Sequence, residues 1–314
     1  MIERNALISH TNYGSLKVET ISQNITLKNR TKDIGMLFKF KLSVIVVLSA
    51  ILGYLMGTDS AQLKELVLLI TGGILLTGAS NGFNQVWERN IDAVMDRTKN
   101  RPIPAGRMSV ITAFIISSIG AIVGIIILWF GLNHLAGILG CIALFSYVFL
   151  YTPMKAKSPI AVFIGAFPGA IPPMLGYLAA TADFGVESGS LFAVQFMWQF
   201  PHFWAIAWIT HDDYLKVGYE LLPFRAGRGK QASFQILLYS LFLIPVSLLP
   251  WALPPENPMI GNIAMVVTVI SGAVLAYLAW KLHKSNEMKD AKTLMFASFI
   301  YLPIVQLAYV IDKL

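Results

Sequence analysis

An all-α protein embedded in a membrane is the fold class this sequence predicts, and three features predict it. Only 13% of the 314 residues are charged, against about 25% in a soluble domain, while 56% are hydrophobic and the mean hydropathy is +0.64. Apolar runs of roughly the 20 residues that cross a bilayer as a helix recur along the chain. Lysine and arginine gather in alternate loops between those runs. The net charge of +7 therefore calls for no nucleic acid, because loop placement accounts for it. The single cysteine, Cys141, rules out a disulfide within the chain.

In chain order, residues 1–36 are mostly polar and lack an apolar stretch followed by a small-residue cleavage site. They read as a cytoplasmic tail ahead of a membrane domain over 37–314. Nine spans follow, at 37–56, 66–87, 110–130, 135–151, 160–180, 191–209, 234–253, 260–282 and 294–311, the fourth of them short. Several contain proline, notably Pro168, Pro172 and Pro173 in the fifth and Pro201 in the sixth. Membrane helices tolerate this when neighbours satisfy the freed carbonyls.

The basic loops assign the N-terminus to the cytoplasm by the positive-inside rule, and nine spans then put the C-terminus outside. The protein is expected as a multi-pass protein of the cell (inner) membrane. Two cytoplasmic loops are long, 89–109 and 210–233. Each follows an even-numbered span and carries acids first and bases afterwards, a weak internal duplication.

The densest chemistry lies in the first of these loops and the helix end before it. Asn84, Glu88, Asp92 and Asp96 recur every fourth position, which stacks them on one helix face with about 40° of drift per step. Stacked acids repel, so the spacing makes sense against a divalent cation. Magnesium prefers oxygen ligands and tolerates few carboxylates, since it keeps waters or binds phosphate oxygens. Arg97, Lys99, Arg101 and Arg107 follow at once, and acids for a metal beside bases for an anion suggest a metal-bridged diphosphate. A solvated polar helix end is the plainer alternative, but Asn84 lies at membrane depth, where polar groups mark function.

Three further motifs stand out. His211-Asp212-Asp213-Tyr214 offers a second metal site or a helix-end acid pair, with Lys216, Arg225, Arg228 and Lys230 after it as head-group ligands or inside-positive residues. Trp198-Gln199-Phe200-Pro201-His202-Phe203-Trp204 puts Gln199 and His202 inside a span. Such an imidazole either ligates iron or hydrogen-bonds a neighbouring helix. Tyr151-Thr152-Pro153-Met154-Lys155-Ala156-Lys157 puts two lysines at the cytoplasmic mouth, for diphosphate or for topology. A Walker loop, a dinucleotide fingerprint and a CxxC pair are all missing from the sequence.

With these residues in place, the chain resembles the UbiA superfamily of intramembrane prenyltransferases. Four segments look like its heme O synthase branch: FNQVWERNIDAVMDRTKNRPIPAGR, YTPMKAKSPIAVFIGAFPGAIPPMLGY, MWQFPHFWAIAW and DDYLKVGYELLP. The similarity runs from about Phe38 to the C-terminus. Glu88 stands where much of the superfamily has Asp, and Thr210 and Tyr214 occupy the expected positions of a second Asp-x-x-x-Asp motif. The resemblance implies nine helices around a central cavity under a cytoplasmic cap. It implies Mg²⁺ on Asn84, Glu88 and Asp92, with Asp213 as a further ligand and Asp212 beside it. Farnesyl diphosphate would be held by that metal and by Asp96, Arg97, Arg101, Lys155, Lys157 and Lys216. Heme b would be the acceptor, near Tyr151, Gln199 and His202, with Gln199 on a propionate or orienting the imidazole. Heme A synthase or a terminal oxidase assembly would be downstream partners. An aromatic quinone precursor as acceptor, or secondary transport, are the alternatives; transport fits poorly with polar groups gathered at one end of the spans.

Overall fold

The structure is a computed structural model and describes residues 27–224, 227–253, 256 and 258–314. Arg225 and the first 26 residues of the expected tail lie outside the described residues. Among the described residues the regular secondary structure is all helical, apart from one isolated bridge between Ile260 and Lys313.

The helices in order are α1 (Leu27–Leu37), α2 (Phe40–Met56), α3 (Leu63–Trp87), α4 (Arg89–Asp92), α5 (Val110–Leu132), α6 (His134–Met154) and α7 (Ala161–Thr181). Then come α8 (Val186–Ile209), α9 (His211–Leu215), α10 (Lys230–Ala252), α11 (Asn262–Ser285) and α12 (Met288–Ile311). Seven of them, α3, α5, α6, α7, α10, α11 and α12, are long and apolar enough to cross a membrane, and α1 with α2, bent by 51°, make an eighth if taken as one span. The expected count of nine included 191–209, which lies within α8. That helix has 24 residues, but Gln195, Gln199, Pro201, His202 and its tryptophans lower its hydropathy. Its polar side chains are buried against other helices, as intramembrane polar groups must be.

The expected tail also ends sooner than its composition suggested. Residues 27–36 belong to α1, which docks on α3: Gln85 Nε2 donates to the Met36 and Leu37 carbonyls at 3.0 and 2.7 Å. Asp33 pairs with Arg107 at 3.0 Å.

Two apolar cores share α7 as their common wall. One joins Tyr54 of α2, Leu69 and Leu76 of α3, Leu128 of α5, Leu139 of α6 and Leu178 of α7. The other joins Val162 and Ala166 of α7 to α8, α10, α11 and α12. Helices α2 and α7 approach through glycine: a Cβ on Gly176 would run into the Ala50 carbonyl, and one on Gly53 into the Pro173 carbonyl. Small residues permit such backbone proximity in membranes. Pro173 has no N–H for the Gly169 carbonyl, and Gln195 Nε2 supplies one at 2.8 Å. Gln195 then accepts from Gln306 Nε2 at 3.0 Å, and Gln306 from Ser49 Oγ at 3.0 Å. A buried polar chain thus ties α7, α8, α12 and α2 together.

The duplication reappears as geometry. α3 stops at Glu88 (φ −87°, ψ 8°) and α8 at Thr210 (φ −96°, ψ 10°). Each stop residue donates its N–H to the carbonyl four back and is followed by a short helix, α4 or α9. Positions 84, 88 and 92 correspond to 206, 210 and 214, and only the first set carries acids.

Candidate active site

The break at Glu88 replaces the single straight helix that the four-residue spacing implied. Asn84, Glu88 and Asp92 are nonetheless all buried, at 1%, 3% and 0% exposure. Asn84 Nδ2 donates to Thr152 Oγ1 at 3.2 Å, while the Thr152 hydroxyl donates to the Tyr147 carbonyl at 2.9 Å. The amide is therefore held by its nitrogen, with Oδ1 left for another use. Glu88 Oε1 meets Lys155 Nζ at 2.5 Å and accepts from Tyr219 Oη at 3.3 Å.

Asp92 owes its surroundings to the loop after α4. Thr98 Oγ1 donates to the Asp92 carbonyl at 2.9 Å, and Arg107 holds the Asn100 carbonyl at 2.9 Å. The loop so folded brings Arg101 Nη1 to Asp92 Oδ2 at 2.6 Å. Asp92 Oδ1 is sealed from solvent and has no hydrogen-bond partner. A buried carboxylate oxygen without a partner costs about 1–3 kcal/mol or more and requires an explanation. A cation is one. The site offers three oxygen donors from two carboxylates and one amide, which suits Mg²⁺ completed by water and phosphate oxygens. Among the described residues, no three His, Cys, Asp or Glu side chains are placed to hold a metal by themselves.

Cations surround these acids. Lys155 lies 5.0 Å from the centroid of Tyr151. Burial works to lower the Lys155 pKa, but the Glu88 carboxylate prevails and holds it above its usual value. Lys39, at the bend between α1 and α2 with φ 44°, lies within electrostatic reach of Glu88, Asp92, Arg101 and Lys155. In the sequence it reads only as an inside-positive residue at the start of a span. Thr152 and Tyr219 fall inside segments singled out in the sequence but are given no role there, since neither residue type signals a site without its partner.

The acids of the second loop do other work. Asp213 Oδ1 accepts from the Asp96 N–H at 2.9 Å and from Lys216 at 3.2 Å, and Oδ2 accepts from the Arg97 N–H at 3.3 Å. Both oxygens are occupied in clasping one cytoplasmic loop to the other. The Asp212 side chain is 73% exposed and pairs with Arg228 at 3.0 Å. Asp96 is exposed, pairs with Lys99 at 2.7 Å and with Lys216, and is held down to about 2 by Lys216 first and Lys99 second. The Arg97 guanidinium lies 5.7 Å from the Tyr214 ring. Lys157 is exposed and makes no ion pair among the described residues.

On the acceptor side, Gln199 Nε2 donates to the Ala166 carbonyl of α7 at 2.9 Å and so braces two helices. His202 hydrogen-bonds Ser298 of α12 through Nδ1 at 2.8 Å and stacks on Trp198 at 4.5 Å. A cavity of about 70 Å³ is lined by Tyr151, Val162, Phe203, Ile206, Ala207, Tyr214 and Leu221.

Comparison with known proteins agrees with this fold. The UbiA prenyltransferase family matches residues 46–300. A protoheme IX farnesyltransferase of Christiangramia forsetii is 45% identical over 281 residues, covering 90% of this chain and 93% of that protein. One of Flavobacterium psychrophilum is 43% identical, covering 91% and 96%. Among solved structures, a digeranylgeranylglyceryl phosphate synthase superposes with a TM-score of 0.74 at 20% identity, covering 90% of this chain and 98% of that one. A UbiA homolog from Archaeoglobus fulgidus bound to GPP and Mg²⁺ gives 0.65 at 13% identity, covering 88% and 99%.

Proposed function

This chain belongs to the UbiA prenyltransferase family, and on that premise we propose that it transfers the farnesyl group of farnesyl diphosphate to a vinyl group of protoheme IX, giving heme O and diphosphate. The acceptor follows from the name its relatives share at 43–45% identity over nine-tenths of the chain. The metal-dependent diphosphate end rests on the observation that carries the reading: the buried Asp92 Oδ1 without a partner, beside Glu88 and Asn84.

Asn84 Oδ1, Glu88 and Asp92 would hold Mg²⁺. When bound, the ion neutralises the charge that develops on the departing diphosphate. Lys155 and Arg101, which here answer Glu88 and Asp92, exchange those carboxylates for phosphate oxygens. Arg97 waits at the same mouth, with the Asp213 clasp fixing the loop that carries it. As the C1–O bond of the farnesyl group breaks, its electron pair leaves with the diphosphate. The vinyl π electrons form the new C–C bond to C1. The cation left beside the porphyrin takes up water, which loses a proton, and a hydroxyethylfarnesyl side chain results. Tyr151, Phe203 and Tyr214 present aromatic faces to the cavity they line and keep water from the allylic cation until the bond has formed. No side-chain nucleophile is needed.

The same reading places the enzyme in the cell's inner membrane with the acids toward the cytoplasm and the C-terminus outside, and makes heme A synthase or a terminal oxidase assembly its downstream partner. Diphosphate release at graded Mg²⁺ tests it. Asp92→Asn and Glu88→Gln keep shape and lose charge, so each should lose most turnover while the protein still folds. Unchanged rates in both at limiting Mg²⁺ would reject the assignment.

A further inference from the structure

Every hydrogen bond and ring contact of His202 among the described residues comes from the helix itself or from α12. Its ring stacks on Trp198 (4.5 Å between centroids, 15° between planes) and takes the edge of Phe299 at 4.4 Å. Trp198 is itself anchored by Nε1 donating to the Ser298 carbonyl at 2.8 Å. Ser298 thus holds both rings, the tryptophan by its backbone and the histidine by its hydroxyl.

The protons decide what that hydroxyl does. Ser298 Oγ lies 2.7 Å from the Met295 carbonyl and 2.8 Å from His202 Nδ1. A hydroxyl has one proton. A carbonyl cannot donate, so the serine proton goes to Met295. If Nδ1 also lacked a proton, two lone pairs would face each other across 2.8 Å. The arrangement is satisfied only with Nδ1 protonated and donating to Ser298. In neutral imidazole Nε2 is then the bare nitrogen. His202 Nε2 has no hydrogen-bond partner among the described residues. Nor is it among the fully sealed, unpartnered side-chain atoms of the described residues, which are Gln85 Oε1, Asp92 Oδ1 and Trp204 Nε1, so it is not sealed off completely. A histidine that donates through one ring nitrogen and offers the other is the form that ligates a metal, and the acceptor on the first fixes tautomer and ring direction.

We infer that Ser298 is a positioning residue for the acceptor: it locks His202 in the Nδ1–H tautomer so that Nε2 ligates the iron of protoheme. This rests on the reading of protoheme as the acceptor. Ser298 acts through His202 and does not touch the reacting carbons.

The test uses the purified full-length protein in detergent, with protoheme itself as probe. Ser298→Ala should raise the heme Kd by about 10- to 100-fold and weaken the iron–histidine stretching band of the ferrous complex in resonance Raman. Binding of farnesyl diphosphate with Mg²⁺ should be retained. Ser298→Thr, which keeps the oxygen, should restore both heme signals. An unchanged Kd and band in Ser298→Ala would overturn the inference. If that variant does not fold, ¹⁵N-histidine NMR of the unsubstituted protein reads the tautomer, the His202 signals being those lost in His202→Ala. Protonated Nδ1 with bare Nε2 supports the proposal, and protonated Nε2 refutes it. His202→Ala separates the layers: if it binds heme as tightly as the parent, the iron-ligand role falls altogether. If it loses heme while Ser298→Ala does not, only the role of Ser298 falls.

Discussion

Removing Arg101 should damage the protein more than neutralising Asp92, and Mg²⁺ should close most or all of that gap. The two groups form one pair at 2.6 Å, but their exposures differ: the Asp92 side chain is 0% exposed and that of Arg101 is 17%. Arg101→Met leaves a fully buried carboxylate with neither oxygen answered, a loss of about 3–5 kcal/mol. Asp92→Asn keeps an oxygen facing a guanidinium that reaches water, and loses about 1.5 kcal/mol, the lower end for a charge-assisted bond. At about 2 °C per kcal/mol for a chain of this size, Arg101→Met should melt roughly 3–7 °C below Asp92→Asn after chelation. Saturating Mg²⁺, at about 100 times its Kd, adds about 2.7 kcal/mol to any form that binds it. The parent and Arg101→Met should gain, and Asp92→Asn should not. Melting in detergent, followed by tryptophan fluorescence with and without Mg²⁺, measures all three. Equal Mg²⁺ stabilisation of Asp92→Asn and the parent, or an Arg101→Met protein as stable as Asp92→Asn without metal, would refute the reasoning.

Three other expectations follow from the fold. Gly176→Ala forces a methyl group against the Ala50 carbonyl and should cost at least the 1–3 kcal/mol or so of overpacking, read as a lower melting temperature; an unchanged value would mean that α2 and α7 separate freely. The Asp96 pKa is held below its ordinary 3.8, at about 2, chiefly by Lys216, so the clasp contributes fully above 3.8 and is lost as pH falls through 2. The melting difference between the parent and Lys216→Met should be constant near neutral pH and vanish in that acid window, and a difference that survives there contradicts the clasp. A reporter fused after Leu314 should behave as external if α8 is a span, and a cytoplasmic reporter would remove one crossing.

Most of the helices were legible because spanning a bilayer is a matter of length and hydropathy, which a sequence displays. Glu88 and Asp92 were legible because acids stacked every fourth residue repel and need a cation, and Asn84 because a polar group at membrane depth needs a reason. The break at Glu88 was hidden, since four-residue spacing is the same in a straight helix and in one that stops and restarts. The role of Asp213 was hidden for a different reason: the groups it binds are backbone N–H groups more than a hundred residues away, which no side-chain pattern records. Ser298 lies 96 positions from His202 in a span where a serine looks like filler. The helix over 27–36 has the composition of a tail and is held by Gln85 and Arg107 from elsewhere.

The central claim is that this chain joins a farnesyl group to protoheme, and the mass of the product tests it most directly. Purified protein, heme b, farnesyl diphosphate and Mg²⁺ should yield a lipid-soluble heme heavier than heme b by one farnesyl group plus the elements of water, less a proton, with diphosphate released in equal amount. Heme b recovered unchanged, while an aromatic quinone precursor is prenylated in its place, would contradict the account.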